Sequence, residues 1–189
     1  RIGTNLQILK SLNFNEKAFP PKLVASQIDK AKNDGLDPVM YAQRYHQGFN
    51  HERISQIYTN YQKELERNNA FDFGDLICEP IRLFRETKGV LENYQQRFLY
   101  VLVDEYQDTN RAQYMFINLL SAKHKNLCVV GDEDQSIYGW RGADIRNILE
   151  FGKDYQNTAI IRLEQNYRST KNILGAANSV VEKNTKRIG

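Results

Sequence analysis

The sequence predicts an α/β fold in which a helical first part precedes strands that alternate with helices. Residues 1–70 carry apolar residues at helical spacing and show no strand-like alternation. Three short apolar runs follow, at residues 100–103, 126–130 and 158–163, with helical patterns between them. Because strands that alternate with helices usually pair in parallel, the three runs predict one parallel sheet.

Composition sets the class of protein and its setting. The 189 residues carry a formal net charge of +3, and the basic excess lies in residues 1–70, with ten Lys and Arg against seven Asp and Glu. This small positive excess would weakly favour binding to a polyanion, and it is equally compatible with an ordinary solvated surface. No apolar run reaches membrane-spanning length, no signal peptide opens the chain, and Cys78 and Cys128 lack metal-ligand spacing. We expect a cytoplasmic protein without a zinc site, and Arg1 in place of Met suggests a piece of a longer one.

Helical periodicity predicts eight helices, at about residues 6–12, 21–33, 50–68, 73–84, 91–98, 112–120, 145–149 and 173–181. Pro80 lies inside the fourth, and we expect a bend or a break just before it, because proline removes a helical hydrogen bond. Thr109 or Asn110 is a plausible cap for the sixth. Lys30, Lys32 and Lys63 are expected to be solvated, with phosphate contacts as the alternative.

The first apolar run leads directly into two adjacent carboxylates, Asp104 and Glu105. A continuous apolar run of this kind predicts a strand buried on both faces, and ligands of α/β sheets bind beyond the carboxyl ends of the strands. One carboxylate can hold Mg²⁺ while the other orients or deprotonates a water molecule. The alternative is a buried strand that ends in a polar turn.

All three predicted strands end in polar clusters, which a parallel sheet would bring to one edge. The second and third clusters comprise Gly131, Asp132, Gln135, Gln165, Tyr167 and Arg168. An acid pair, a glutamine and an arginine together suit a phosphoanhydride, and the tyrosine could stack on a base. Taken singly, Gln135 could cap a turn and Arg168 could pair with a carboxylate.

A glycine-flanked segment at residues 136–142 contains Tyr138, Trp140 and Arg141. Exposed aromatic rings beside an arginine form a stacking platform for single-stranded bases. The alternative is that the one tryptophan of the chain is a core residue. The flanking glycines and polar neighbours favour an exposed loop.

Four segments resemble the motifs of UvrD/Rep/PcrA-type DNA helicases of superfamily 1. Their motif II is similar to V-D-E-Y-Q-D-T-N at 103–110, and motif III to G-D-E-D-Q-S-I-Y-G-W-R-G-A-D-I at 131–145. Motif IV is similar to L-E-Q-N-Y-R-S-T at 163–170, and the motif before motif II to F-D-F-G-D-L at 71–76. Three long motifs in this order and at suitable spacing are specific. The resemblance implies a helical inserted subdomain at 1–70, the second part of the first RecA-like motor domain at 71–165, and the entry helix of the second motor domain at 166–189.

The resemblance also implies roles for individual residues. Asp104 would hold Mg²⁺ and Glu105 would activate water, while Gln135 and Arg168 would contact the γ-phosphate and Tyr167 would stack on adenine. Tyr138, Trp140 and Arg141 would grip single-stranded DNA. The family moves 3′→5′ on DNA while hydrolysing ATP, so the implied cofactors are ATP and Mg²⁺. The implied partners are single-stranded and duplex DNA and the remainder of the helicase chain, with no membrane.

One departure from the family limits what the chain should do alone. It contains no G-x-x-x-x-G-K-[ST] sequence, the Walker A loop that cradles phosphates in P-loop NTPases. The resemblance implies that the strand bearing this loop would lie between the second and third strands, so the RecA-like sheet is expected to be incomplete. We therefore expect an internal helicase fragment that is inactive by itself. The alternatives are a non-catalytic single-stranded DNA or protein-binding module, and a metal nuclease built on Asp104, Glu105 and Asp108.

Overall fold

The fold was analysed from a computed structural model that describes residues 2–12, 14–15, 17–46 and 49–183. The described residues are mostly helical and contain two short strands. In chain order the elements are α1 (Ile2–Ser11), α2 (Pro21–Asn33), α3 (Pro38–Arg44), α4 (Phe49–Arg67), α5 (Asp75–Glu86), α6 (Lys88–Arg97), β1 (Val101–Val103), α7 (Arg111–Ser121), β2 (Leu127–Val129), α8 (Arg146–Leu149), α9 (Phe151–Asp154) and α10 (Lys171–Val181). Three 3₁₀ turns lie at Tyr106–Asp108, Glu133–Gln135 and Gly139–Arg141.

Strands β1 and β2 pair in parallel as a two-stranded sheet. The pairing begins where Val101 N donates to Asn126 O at 2.9 Å and ends where Val130 N donates to Val103 O at 2.8 Å. A mainly helical chain with a parallel strand pair confirms the coarse α/β prediction. No described helix has both the length and the apolar character needed to cross a membrane.

The chain divides into two compact units. The first comprises Arg1–Val101 and Asn110–Leu127, and the second comprises Leu102–Thr109 and Cys128–Gly189. The last six residues of the predicted entry helix segment, 184–189, lie outside the described residues.

An apolar core holds the first unit together. Helices α1, α2, α3 and α4 contribute every buried residue of this core except Phe19, which lies between α1 and α2. The buried residues are Ile8, Leu9, Phe19, Val24, Ile28, Ala31, Tyr41, Ile54, Ile57, Tyr58 and Tyr61. Most of the predicted stripes of α2 and α4 therefore face this core, as their 3.6-residue period requires.

Helix α7 begins with a capping box, in which Asn110 and Gln113 each accept the other's backbone N–H at 2.9 Å.

A buried ion-pair network in the first unit corrects the expectation for Lys32. Its side chain is only 1% exposed, and Nζ donates to Asp72 Oδ2 at 2.8 Å and to Asp75 Oδ1 at 2.7 Å. The expectation of a solvated lysine is wrong because Lys32 lies on the buried face of α2, where two carboxylates of the F-D-F-G-D segment satisfy its charge. Lys30 and Lys63 are exposed as expected.

Helix α5 runs through Pro80, so of the expected bend or break, the break does not occur. The helix is anchored before and after the proline. Asp75 bonds Lys32 at its first turn, and Ile81 and Phe84 are buried beyond it. The Phe84 ring also stacks on Phe116, with ring centroids 5.8 Å apart. These contacts offset the hydrogen bond that Pro80 cannot make.

The structure contradicts the predicted third strand and the burial of the first. Residues 158–163 form neither helix nor strand, and Ile160, Ile161 and Leu163 are exposed. An apolar run becomes a strand only where another strand pairs with it, and in the described chain none does. Leu102 of β1 is 76% exposed, because a two-stranded sheet leaves one face of this strand uncovered.

Candidate active site at the strand ends

The carboxyl ends of β1 and β2 lie side by side. Beyond the last ladder bond, Tyr106 N donates to Val130 O at 3.0 Å, so the pairing holds past both strands. The residues that follow each strand, Asp104 and Glu105 on one and Gly131 and Asp132 on the other, are thus brought to one edge. This is the arrangement predicted for the first two of the three polar clusters.

Glu105 occupies a left-handed corner between β1 and the 3₁₀ turn that follows it. Its φ is 52° and its ψ is 40°, a conformation that residues other than glycine rarely adopt. Asp104 precedes the corner, and its Oδ1 accepts the Glu105 N–H at 2.9 Å. Both carboxylates are exposed. They are therefore accessible to a ligand or a water molecule from solvent, and the strand does not simply end in a buried turn.

Gln107 is a site residue that the sequence reasoning missed. It is fully buried, and its Nε2 donates to Glu105 Oε2 at 2.8 Å and to Asp108 Oδ2 at 3.5 Å. Its Oε1 accepts the backbone N–H of Asp132 at 3.1 Å. Gln107 therefore joins the acidic end of β1 to the polar end of β2. The sequence around Gln107 is polar, so no local pattern predicts that its side chain is buried.

At the end of β2, Asp132 organises its own turn. Its Oδ1 accepts the N–H of Asp134 at 2.9 Å, and its Oδ2 accepts Gln135 Nε2 at 2.7 Å. The side-chain amide of Gln135 therefore caps the turn, as the alternative interpretation of its sequence position predicts. Its side chain is exposed at the same edge as Glu105, so a change of rotamer would free the amide for a ligand.

The structure does not bring Arg168 and Tyr167 to this edge through a strand. Tyr167 is 87% exposed and Arg168 is also exposed. Asn166 Oδ1 accepts the backbone N–H groups of Arg168 and Ser169, and both hydrogen bonds are local to this segment. No ion pair among the described residues involves Arg168. The prediction that a third strand brings these two residues to the sheet edge is therefore wrong. Their roles in nucleotide binding rest on the resemblance alone.

Tyr138, Trp140 and Arg141 form an exposed cluster around the 3₁₀ turn at Gly139–Arg141. The Arg141 guanidinium carbon lies 4.7 Å from the centre of the Trp140 ring and 5.4 Å from that of Tyr138. Trp140 is 76% exposed, so the alternative of a core tryptophan is wrong. Gly142 follows with a φ of 90°, a left-handed conformation that suits glycine. The cluster therefore combines exposed aromatic rings with an arginine, the combination that stacking platforms for bases use.

The donor set fits a magnesium ion that arrives with a nucleotide. In the described chain, no three side chains of His, Cys, Asp or Glu are gathered as a metal site, so Asp104, Glu105 and Asp108 do not form the cluster that a nuclease would use. Mg²⁺ in nucleotide sites is usually held by one or two carboxylates, phosphates and water. Asp104 offers one such exposed carboxylate at the sheet edge.

Comparison with known proteins identifies the family of the chain. Residues 4–156 match the family described as the UvrD/REP helicase N-terminal domain. The chain is 52% identical over 180 residues to proteins named ATP-dependent DNA helicase PcrA from Staphylococcus aureus and Staphylococcus epidermidis. The match covers 95% of this chain but only 24% and 25% of those relatives, so the chain spans about a quarter of their length. With both strand-end motifs inside the matched region, the chain belongs to the UvrD/REP helicase N-terminal domain family.

Proposed function

We propose that the chain is part of an ATP-dependent DNA helicase that couples ATP hydrolysis to 3′→5′ movement on single-stranded DNA. The observation that carries the proposal is the meeting of Asp104 and Glu105 with Asp132 and Gln135 at the paired ends of two parallel strands. Ligands of α/β sheets bind at such an edge. The similar proteins are named as ATP-dependent DNA helicases, which supports the same activity.

The residues of this edge would share the work of phosphoryl transfer. Asp104 would hold Mg²⁺, and Glu105 would orient a water molecule and accept its proton. Gln135 would leave Asp132 and turn toward the terminal phosphate. When bound, ATP would supply the phosphoanhydride whose hydrolysis would drive movement, and Mg²⁺ would neutralise charge on its phosphates.

Arg168 and Tyr167 would complete the nucleotide site from outside the described strand pair. In this proposal Arg168 contacts the γ-phosphate and Tyr167 stacks on adenine. Their exposure leaves both side chains accessible for these contacts. The division into an inserted subdomain at 1–70, a motor segment at 71–165 and an entry helix at 166–189 belongs to the same proposal.

The aromatic cluster would hold single-stranded DNA. Base stacking on aromatic side chains contributes about 1–3 kcal/mol per base, and Arg141 adds a charge that phosphates attract. The cluster follows the 3₁₀ turn of Gln135 by a few residues in the chain. Nucleotide contact and DNA contact would thus be carried by one continuous segment.

The chain without a phosphate-cradling loop is proposed to lack turnover of its own and to need the remainder of the helicase. A reducing, cytoplasmic setting suits its two free thiols, Cys78 and Cys128. Stimulation of ATP hydrolysis by single-stranded DNA, measured on a longer protein that contains this chain, tests the function. We expect stimulated turnover that Glu105→Gln lowers to a small residual rate and that the 189-residue chain alone lacks. A longer protein that fails to hydrolyse ATP in the presence of DNA would refute the proposal.

A second candidate function is a non-catalytic module that binds single-stranded DNA, which the exposure of Trp140 favours. Because Trp140 is the only tryptophan of the chain, its fluorescence reports on this surface directly. We expect quenching when a single-stranded oligonucleotide is added to the chain, and none with inorganic polyphosphate, which has charge but no bases. Equal responses to both would show attraction by charge without stacking.

A further inference from the structure

Gln107 sits where the two motifs of the site meet, and both ends of its amide are used. Nε2 donates to Glu105 Oε2 at 2.8 Å, and Oε1 accepts the Asp132 N–H at 3.1 Å. The side chain has no exposed surface. A buried amide with both functions satisfied is held in one orientation, because any rotation would leave a donor or an acceptor without a partner.

The backbone around Gln107 is shaped to admit this side chain. A Cβ atom placed on Gly131 would lie 2.5 Å from Gln107 Oε1 and 2.8 Å from the Cδ1 of Ile148. Such contacts do not occur in folded proteins, so the absence of a side chain at Gly131 makes room for the amide. The Ser136 hydroxyl donates to the backbone oxygen of Gln107 at 3.4 Å and holds the same residue from the other motif.

The contacts form a continuous path through the site. Glu105 Oε2 accepts from Gln107, Gln107 Oε1 accepts from the Asp132 backbone, and Asp132 Oδ2 accepts from Gln135 Nε2. A shift at one end of the path therefore changes the hydrogen bonding at the other. The carboxylate proposed to activate water and the amide proposed to contact phosphate are joined through the buried Gln107 and through Asp132.

We propose that Gln107 is a positioning residue that fixes the carboxylate of Glu105 and couples it to the Asp132–Gln135 turn. The inference rests on the proposed function, because it assigns Gln107 an effect on the hydrolytic step. Gln107 does not touch the reacting atoms and acts through Glu105. Its amide supplies both a donor for the carboxylate and an acceptor for the backbone N–H.

Two substitutions separate the two halves of this role. Gln107→Met has a similar shape and removes both hydrogen bonds. Gln107→Glu keeps an acceptor for the Asp132 N–H but removes the donor to Glu105 and places a second carboxylate beside it. Gln95→Met is the control, since Gln95 is partly buried and its Nε2 also donates a hydrogen bond, to the backbone oxygen of Leu119 at 2.7 Å in the first unit.

The contact is tested in the 189-residue chain by hydrogen exchange measured with NMR. We expect the Asp132 amide to exchange about tenfold faster in Gln107→Met than in the wild type, because its acceptor is lost. Gln107→Glu should keep most of the protection. Equal exchange in the wild type and in Gln107→Met would show that the path is not formed, whatever the function of the protein.

The effect on hydrolysis is tested in the longer protein. We expect both Gln107 variants to lower kcat for DNA-stimulated ATP hydrolysis by about 10- to 100-fold with little change in KM, as for other losses of positioning. Gln95→Met should leave both constants unchanged. Adding Gln107→Met to Glu105→Gln should reduce the residual rate further by less than threefold, because the two residues act as a unit.

The outcomes distinguish the two proposals. If the wild-type protein hydrolyses ATP and Gln107→Glu has the same kcat, the positioning role is refuted and the helicase proposal stands. If the effects of Gln107→Met and Glu105→Gln multiply in full, Gln107 acts independently of Glu105 and the inference also fails. A wild-type protein without turnover would instead refute the proposed function.

Discussion

Replacing Lys32 by methionine tests the buried ion-pair network of the first unit. The substitution keeps the length of the side chain and removes the charge that lies between Asp72 and Asp75. Two charged hydrogen bonds, of 2.8 and 2.7 Å, disappear in a place where the carboxylate side chains are only 6% and 2% exposed. Each such bond contributes about 1.5–3 kcal/mol.

Asp72 and Asp75 keep some hydrogen-bond donors in this variant, and these limit the loss of unfolding free energy. Asp72 still accepts from the Tyr61 hydroxyl at 2.9 Å, and Asp75 still accepts from Gln62 Nε2 at 3.1 Å. Breaking a buried ion pair from one side usually costs about 3–5 kcal/mol. We expect Lys32→Met to lower the free energy of unfolding of the first unit by about 3 to 5 kcal/mol, the range that both estimates share.

Urea unfolding of the chain, followed by far-UV circular dichroism, measures this change. Lys30→Met is the control, because Lys30 lies on the exposed face of the same helix and should alter stability by less than about 0.5 kcal/mol. Lys32→Met combined with Asp75→Asn should cost less than the sum of the two single variants, since one uncompensated charge is removed. If Lys32→Met costs no more than Lys30→Met, the reasoning about this network is wrong.

Three further predictions concern the same part of the chain. Gly74→Ala should lower the melting temperature, because the added Cβ would lie 2.6 Å from the Cδ of Lys32, whereas Gly89→Ala meets nothing within 4 Å and should not. Burial raises the pKa of the Asp72 carboxyl, but the hydrogen bond and charge of Lys32 outweigh it and leave that pKa below its usual range. The stability that this shift contributes is therefore present above the unfolded pKa of about 3.9 and is lost as the pH falls through the lower folded value, which an acid titration of the melting temperature would show. Burial raises the pKa of the Cys78 thiol to about 12, so iodoacetamide at neutral pH should alkylate the other, exposed cysteine first, as mass spectrometry of the peptides would report.

Most of the helices could be predicted from the sequence, and so could the meeting of the first two strand ends. Helical period sufficed for α2, α4 and α7, because each buries one stripe, and α2 also begins at a proline and α7 at a capping box. The first two strand ends were also placed correctly relative to each other. Parallel pairing follows from the alternation of elements, and it does not require knowledge of distant contacts.

The errors share a physical cause, which is that burial depends on partners far away in the chain. Lys32 lies on an apolar face and is satisfied by carboxylates some forty residues later, a contact that no local pattern reveals. Residues 158–163 have the composition of a strand but find no strand to pair with in the described chain. Gln107 was overlooked for the same reason, since its burial depends on Gly131 in the next motif.

The corner at Glu105 has a consequence for how this protein could be stabilised. A left-handed residue other than glycine costs on the order of 1 kcal/mol, so glycine at this position would relax the backbone. The Glu105 side chain offsets this cost, because its Oε2 accepts from the buried Gln107 Nε2 at 2.8 Å, and Glu105→Gly would leave that donor only the 3.5 Å contact with Asp108. Backbone strain and the buried amide therefore act in opposite directions, so Glu105→Gly should change the melting temperature less than either effect alone would.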